Sequence, residues 1–307
     1  MTEFIKPTRA PLGHDLRIRI SKNMQLRLLE EIGRHAGRDE VFDDLVFHGG
    51  SSLSLLHGSP RWSEDLDFMA APRAVSSIMG CRGQIEAALQ FRASLEMPGS
   101  TITVAAKRRN DEPQLGDVDK FMVRWEHPAH LGAVKVKVEF YVTPSERIAA
   151  YEAMDQLPLI DGMPSRYGIK AATPLSIWAD KIIAIAQRPM LKQRDIHDLG
   201  FLNDMLGDDG DRSSALRATM GIYDRSCEEI RDGLERDLVR IGIESPTAFR
   251  EEMARWFTEA EMLSLQAEGR LDTLYDGFRE EFALGRDMVH AMSNPVPDRG
   301  SEETCGF

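Results

Sequence analysis

The pattern of apolar and polar positions changes period about halfway along this chain. In the first half, short apolar runs of strand length alternate with polar turns; beyond Pro174 apolar residues recur at helical spacing. Met24 to His35 reads as an amphipathic helix, with Leu26, Leu28, Leu29 and Ile32 marking its apolar face. Leu45-Val46-Phe47 reads as a short buried strand that ends at Gly49-Gly50. Ser52 to His57 follows as a short helix and Leu66 to Met69 as the next strand. Ala74 to Leu95 is mostly helical, with a break at Gly80 and Gly83. Three β-type runs come after Pro98-Gly99: Thr101–Ala105, Phe121–Trp125 and Ala133–Val142. Lys107 to Pro113 forms a polar, hairpin-like connection between the first two.

From Pro174 to Arg188 a helix carries a continuous apolar face through Ile177, Trp178, Ile182 and Ile185, and Pro189 stops it. Asp195 to Leu206 is a second helix, closed by Gly207-Asp208-Asp209-Gly210, and further helices are predicted over 213–221, 226–241, 246–268 and 271–292. The expected organisation is an α/β domain over 1–172, a helical domain over 173–293 and a flexible tail over 294–307.

A chain of 307 residues can bury a sizeable core and hold two such domains. Its apolar runs are far shorter than a membrane span, nothing at the N-terminus resembles a signal peptide, and no membrane partner is expected. Cys81, Cys227 and Cys305 are far apart and form neither a disulfide framework nor a zinc pattern, so the expected compartment is a reducing cytoplasm. The net charge of −12 is unevenly spread: residues 1–197 hold 26 Lys+Arg against 25 Asp+Glu, residues 198–307 hold 12 against 25, and none of those 12 is lysine. This acidic part is either a solvated helical surface or a face for a basic protein partner.

Candidate chemistry sits in three segments. In the first, Gly49-Gly50-Ser51 precedes a helix, and Asp65-Leu66-Asp67 lies on a strand. Side chains two apart on a strand point the same way, so Asp65 and Asp67 repel each other unless a divalent cation lies between them. The glycine–serine turn offers backbone N–H groups and a hydroxyl to phosphate oxygens. In the second, Val134 to Tyr141 alternates, placing Lys135, Lys137, Glu139 and Tyr141 on one polar face. Glu139 either completes a metal site with Asp65 and Asp67 or is a solvated residue paired with a lysine. Three hard oxygen ligands suit Mg²⁺, and two ions with bound nucleoside triphosphate are expected. In the third, Lys181 precedes Arg194-Asp195-Ile196-His197-Asp198-Leu199. Lys181 is either a cation for triphosphate oxygens or a surface lysine. Asp195 and Asp198 share a helix face near the helix start, where capping accounts for one of them. His197 reads as structural, and His48 as packing or backbone support.

These residues resemble the AbiEii-type nucleotidyltransferases, toxins of type IV toxin–antitoxin and phage-abortive-infection systems. The resemblance lies in Gly49-Gly50-Ser51 with Arg61-Trp62-Ser63-Glu64-Asp65-Leu66-Asp67-Phe68, and in Lys181 with Arg194–Leu199, within residues 40–205. It implies an α+β fold with a polymerase β-like nucleotidyltransferase head, a mixed sheet and a helical C-terminal lobe. It also implies Mg²⁺-dependent transfer of a nucleoside monophosphate from a nucleoside triphosphate, with the tRNA 3′ end as acceptor and a cognate antitoxin as partner. The spacer between Ser51 and Asp65 is long for this motif, and the third carboxylate is Glu139 where Asp is commoner.

On this reading Asp65, Asp67, Lys181, Asp195 and Asp198 are catalytic. Gly49, Gly50, Ser51, Ser63, Lys137 and Arg194 bind the nucleotide, and Asp65, Asp67 and Glu139 hold the metal. Lys107, Arg108 and Arg109, with Lys6, Arg9, Arg17, Arg19 and Lys22, are candidates for RNA phosphates. A protein-nucleotidylating transferase that places AMP or UMP on a hydroxyl, and a non-catalytic nucleotide-binding module, are the alternatives.

Overall fold

The computed structural model describes residues 9–107, 112–207, 211–241 and 246–293; Lys6, Arg108, Arg109, Cys305, Asp208-Asp209-Gly210 and the predicted tail lie outside the described residues, as does the Lys107 side chain. The first elements are β1 (Ala10–Pro11), α1 (His14–Arg38), β2 (Leu45–His48), α2 (Gly49–Leu56), β3 (Asp65–Ala70), α3 (Pro72–Gly80) and α4 (Arg82–Glu96). Then come β4 (Thr101–Lys107), β5 (Val118–Glu126), β6 (His130–Leu131), β7 (Val134–Val142), α5 (Ser145–Ala149), β8 (Ala153–Gln156), β9 (Leu159–Ile160), β10 (Met163–Pro164) and β11 (Ile169–Ala172). From there the chain is helical: α6 (Pro174–Gln187), α7 (Gln193–Leu206), α8 (Arg212–Tyr223), α9 (Cys227–Ile241), α10 (Pro246–Met253), α11 (Glu259–Ala267) and α12 (Arg270–Ser293).

Seven strands form one sheet in the order β4-β5-β7-β3-β2-β11-β8. β3 runs parallel to β7 and β2 parallel to β11, while the other neighbours are antiparallel, so the sheet is mixed. Strand alternation divides it into two faces. Leu45, Phe47, Leu66, Phe68, Val136, Val138 and Phe140 join one core with α1, α3 and α4. Val46, Met69 and Ala172, at the opposite parity, join a second core with the helices after Pro174. Farther along these strands the second face carries His48, Asp65, Asp67, Lys137 and Glu139, the polar end of a surface whose other end is buried.

Several predicted boundaries move. The first helix begins at His14, ten residues before the predicted start, and the glycine pair forms the first turn of α2. Gly49 has φ of 78°, a left-handed conformation that glycine adopts without steric cost. The helix predicted over 246–268 is two helices, because Thr258 and Glu261 form a reciprocal capping box that starts α11 afresh. The intervening residues have work elsewhere: Phe257 is buried beside His197, and the Trp256 carbonyl accepts the Trp62 amide. Cys81 and Cys227 are free thiols. Among the described residues no helix is long and apolar enough to cross a membrane.

Helices α7 and α12 cross where Gly200 meets the backbone of Leu274, and a Cβ on Gly200 would collide with the Leu274 carbonyl. Gly200→Ala is expected to cost about 1–3 kcal/mol, the usual penalty of overpacking, seen as a lower urea midpoint. An unchanged midpoint would mean that these backbones do not meet.

Candidate active site

Register across β2, β3 and β7 builds the acidic wall. Asp67 lies opposite His48 on one side and Glu139 on the other, and Asp65 lies opposite Lys137. All of these sit on the same side of the sheet. The Lys137 ammonium is 3.0 Å from Asp65 Oδ2 and 3.2 Å from Glu139 Oε2. Glu139 also reaches Lys120 at 3.5 Å. Burial pushes the Asp67 carboxyl above its ordinary pKa, Asp65 and Glu139 add to the shift, and His48 and Lys137 oppose it. Burial works against the Lys137 ammonium, but Asp65 and Glu139 outweigh it and raise its pKa.

This donor set fits a hard divalent cation in chemistry: oxygen ligands only, crowded like charges, and Asp67 without an ion-paired lysine or arginine among the described residues. The expected three-carboxylate group is nevertheless not assembled. Among the described residues no three His, Cys, Asp or Glu side chains form a group that could hold a metal. Glu139 faces its two lysines, and Asp65 is drawn to Lys137.

The opposite wall comes from α6, α7 and the loop before β3. Thr173 caps α6 by accepting the Ser176 amide, with Pro174 in the first turn, and this places Asp180 and Lys181 over the sheet. Lys181 Nζ lies 2.9 Å from Asp195 Oδ1 and 2.6 Å from Asp198 Oδ2. Arg61 donates from Nε and Nη2 to Asp198 at 2.7 and 2.9 Å, and Arg188 pairs with Asp195. Burial alone would raise both carboxyls, yet their cations win. Lys181 and Arg188 lower Asp195, while Arg61 and Lys181 hold Asp198 well below the ordinary 3.8. Capping therefore explains neither aspartate; Lys192 is the N-cap of α7 and makes no side-chain cap.

Between the walls lies a cavity of about 410 Å³. Of the predicted residues, Gly49, Gly50, Ser63, Asp65, Asp67, Lys137, Glu139, Lys181 and Arg194 line it. Ser51, Asp195 and Asp198 are buried and do not. The Ser51 hydroxyl, expected to hold phosphate, lies inside the protein without a hydrogen-bond partner among the described residues. His197 is buried against Asp198 and Phe257 and is structural, as read from sequence. Arg9, Arg17, Arg19 and Lys22 do not line the cavity.

Several lining residues are given no site role by the sequence reading: Arg61, Arg188, Lys192, Asp180, Tyr223 and His48. Arg61 stands in the Arg-x-Ser-x-Asp motif and Asp180 beside Lys181, so both had a signal. His48 does more than pack. Its Nδ1 is 3.0 Å from Asp180, a carboxylate that also accepts from the Tyr151 and Tyr223 hydroxyls at 2.7 and 3.2 Å. Burial opposes protonation of His48, but Asp180 and then Asp67 raise its pKa.

The model of a family described as nucleotidyl transferase AbiEii toxin, type IV TA system, matches residues 33–292. The chain is a nucleotidyltransferase by class. It belongs to the AbiEii toxin family of type IV toxin–antitoxin systems, which implies an antitoxin partner. Among solved structures it is similar to JHP933 from Helicobacter pylori, at 17% identity over 90% of this chain and 95% of that one, with a TM-score of 0.47. It is also similar to an H. pylori protein provisionally described as a nucleotidyltransferase, at 16% identity over 89% and 96% of the two chains and a TM-score of 0.46. No curated protein matches.

Asp198 and Asp67 should respond oppositely to neutralisation. Asp198→Asn leaves Arg61 and Lys181 short of a buried partner, with an expected cost of about 3–5 kcal/mol. Since its folded pKa is depressed, the contribution of Asp198 is complete above the unfolded value near 3.8 and is lost only as pH falls below it. Denaturant midpoints of wild type and variant should thus differ by a constant amount from pH 7 to 5 and converge in stronger acid. Asp67 has a raised folded pKa, so its charge opposes folding at neutral pH. Without added metal, Asp67→Asn should raise the urea midpoint; a fall would contradict the uncompensated carboxylate.

Proposed function

We propose that this chain transfers a nucleoside monophosphate from a nucleoside triphosphate to the 3′ end of tRNA, in a Mg²⁺-dependent reaction that makes it the toxin of its system. One observation carries the reading: the Asp65 and Asp67 carboxylates face Lys181, Arg188, Lys192 and Arg194 within a single cavity. The triphosphate is anionic, and its transfer needs carboxylates to hold a metal ion and cationic side chains to neutralise the phosphate charge.

Asp65 and Asp67 would hold Mg²⁺, which when bound polarises phosphate oxygens as a Lewis acid. Gly49 and Gly50 line the cavity from the first turn of α2, where backbone N–H groups are free to meet phosphate. A Cβ on Gly50 would strike Arg61 Nη2 and force the Arg61 guanidinium off its present place. Lys181 is fixed by two carboxylates before any ligand arrives, so it stabilises developing charge without reorganising. Lys192 and Arg194 have no carboxylate ion-pair partner among the described residues, and Arg194 lies over the Trp256 ring at 5.9 Å to its centroid. They supply free positive charge to the triphosphate or the acceptor backbone. The tRNA acceptor rests on the likeness of Arg61–Phe68 and Arg194–Leu199 to the AbiEii-type motifs.

The test combines purified protein, Mg²⁺, each α-labelled nucleoside triphosphate in turn and tRNA mixed with cell extract. Label is expected in tRNA, falling at least about a hundredfold with Asp65→Asn that still folds. Label on protein, no label, or full activity in the variant would overturn the reading.

A further inference from the structure

Lys137 stands where a metal ion would have to compete. On β7 it points into the cavity from the register position opposite Asp65, with its ammonium between Asp65 Oδ2 at 3.0 Å and Glu139 Oε2 at 3.2 Å. An ammonium at those distances satisfies the same oxygen lone pairs that a divalent ion would use. The Lys137 side chain is 28% exposed and its four-carbon stem is flexible, so the ammonium can swing away without unpacking the sheet. Lys120, by contrast, reaches Glu139 at 3.5 Å and, among the described residues, pairs with no other carboxylate.

We infer that Lys137 is a tethered counter-cation that contests the divalent-ion site, engaging Asp65 and Glu139 and leaving the ion weakly bound until Lys137 is drawn off. The inference rests on the divalent-ion reading of Asp65 and Asp67 given above. It accounts for Asp65 and Glu139 both facing the Lys137 ammonium, where among the described residues no three carboxylates form a group that could hold a metal. Once displaced, the ammonium remains on the cavity wall, where a triphosphate is its natural partner. Ion and nucleotide are therefore expected to favour one another's binding.

The experiment measures binding of Mn²⁺ alone, from the loss of the free-ion paramagnetic resonance signal, to wild type, Lys137→Met, Lys137→Gln, Lys137→Arg and Lys120→Met. Circular dichroism checks that each is folded. Lys137→Met should bind Mn²⁺ at least about tenfold tighter than wild type, because a unit charge in contact with the site is removed. Lys137→Gln should do the same, so either neutral variant that folds carries the test. Lys137→Arg should stay near wild type, and Lys120→Met should change affinity by less than about threefold, since it does not bridge. Equal or weaker Mn²⁺ binding by the neutral Lys137 variants, with binding by wild type intact, would overturn the inference and leave the metal reading standing. No Mn²⁺ binding by any of the proteins would remove both. A gain in Lys120→Met equal to that in Lys137→Met would reduce the effect to general field strength and overturn the bridging role.

Discussion

The structure depends on one buried ion network. Asp195 and Asp198, both fully buried, hold Lys181, Arg61 and Arg188, so two negative charges meet three positive ones. Charges taken out of water are tolerable only when each is paired and hydrogen-bonded, so the network fixes its parts together or fails as a unit. It ties α6 to α7 and, through Arg61, both helices to the loop ahead of β3. The excess of one positive charge, with Lys181 and Arg188 on the cavity wall, is left facing the ligand space. A Cβ on Gly50 would press on Arg61, and Arg61 in turn lies over Trp256, 5.6 Å from its ring centroid. Trp256 sits where the predicted single helix breaks, so a helix boundary near residue 256 is set partly by the site.

Against this satisfied wall the sheet presents an unsatisfied one. Asp65, Asp67 and Glu139 crowd on one face, offset only in part by Lys137 and Lys120. Asp67 carries the cost, with burial and its acidic neighbours disfavouring its charge. A fold selected for stability alone would not keep that carboxylate. The asymmetry between a rigid, prepaired cation wall and a strained acidic one is what a phosphate ester and its counter-ion would complete. Behind it, Asp180 gathers His48, Tyr151 and Tyr223 and anchors the corner where β2 meets α6.

Much of this was legible in the sequence because it rests on local periodicity. Asp65 and Asp67 share a face for the same reason that Leu66 and Phe68 share the opposite one, and the alternation of Val134 to Tyr141 placed Lys137 and Glu139 correctly. The match of the AbiEii family over residues 33–292 bears out the resemblance drawn from two short motifs. What periodicity cannot reach is the partner of a side chain far along the chain. Arg61 and Asp198 are 137 residues apart, and His48 and Asp180 are 132 apart. Without those partners the sequence reading puts one of Asp195 and Asp198 down to helix capping, makes both catalytic, and takes His48 as packing or backbone support. Ser51 shows the converse error: its place in a glycine–serine turn suggested a phosphate ligand, but one residue of helical rotation puts it inside.

The central claim is that nucleotide and divalent ion meet between these two walls in a fixed polarity. A crystal structure with Mn²⁺ and non-hydrolysable α,β-methylene nucleoside triphosphates tests it directly, since anomalous scattering locates the ion. The account predicts Mn²⁺ against Asp65 and Asp67, with the triphosphate reaching toward Lys181 and the α6–α7 cations. A nucleotide bound elsewhere, or Mn²⁺ absent from Asp65 and Asp67 when the analogue is seated, would contradict it.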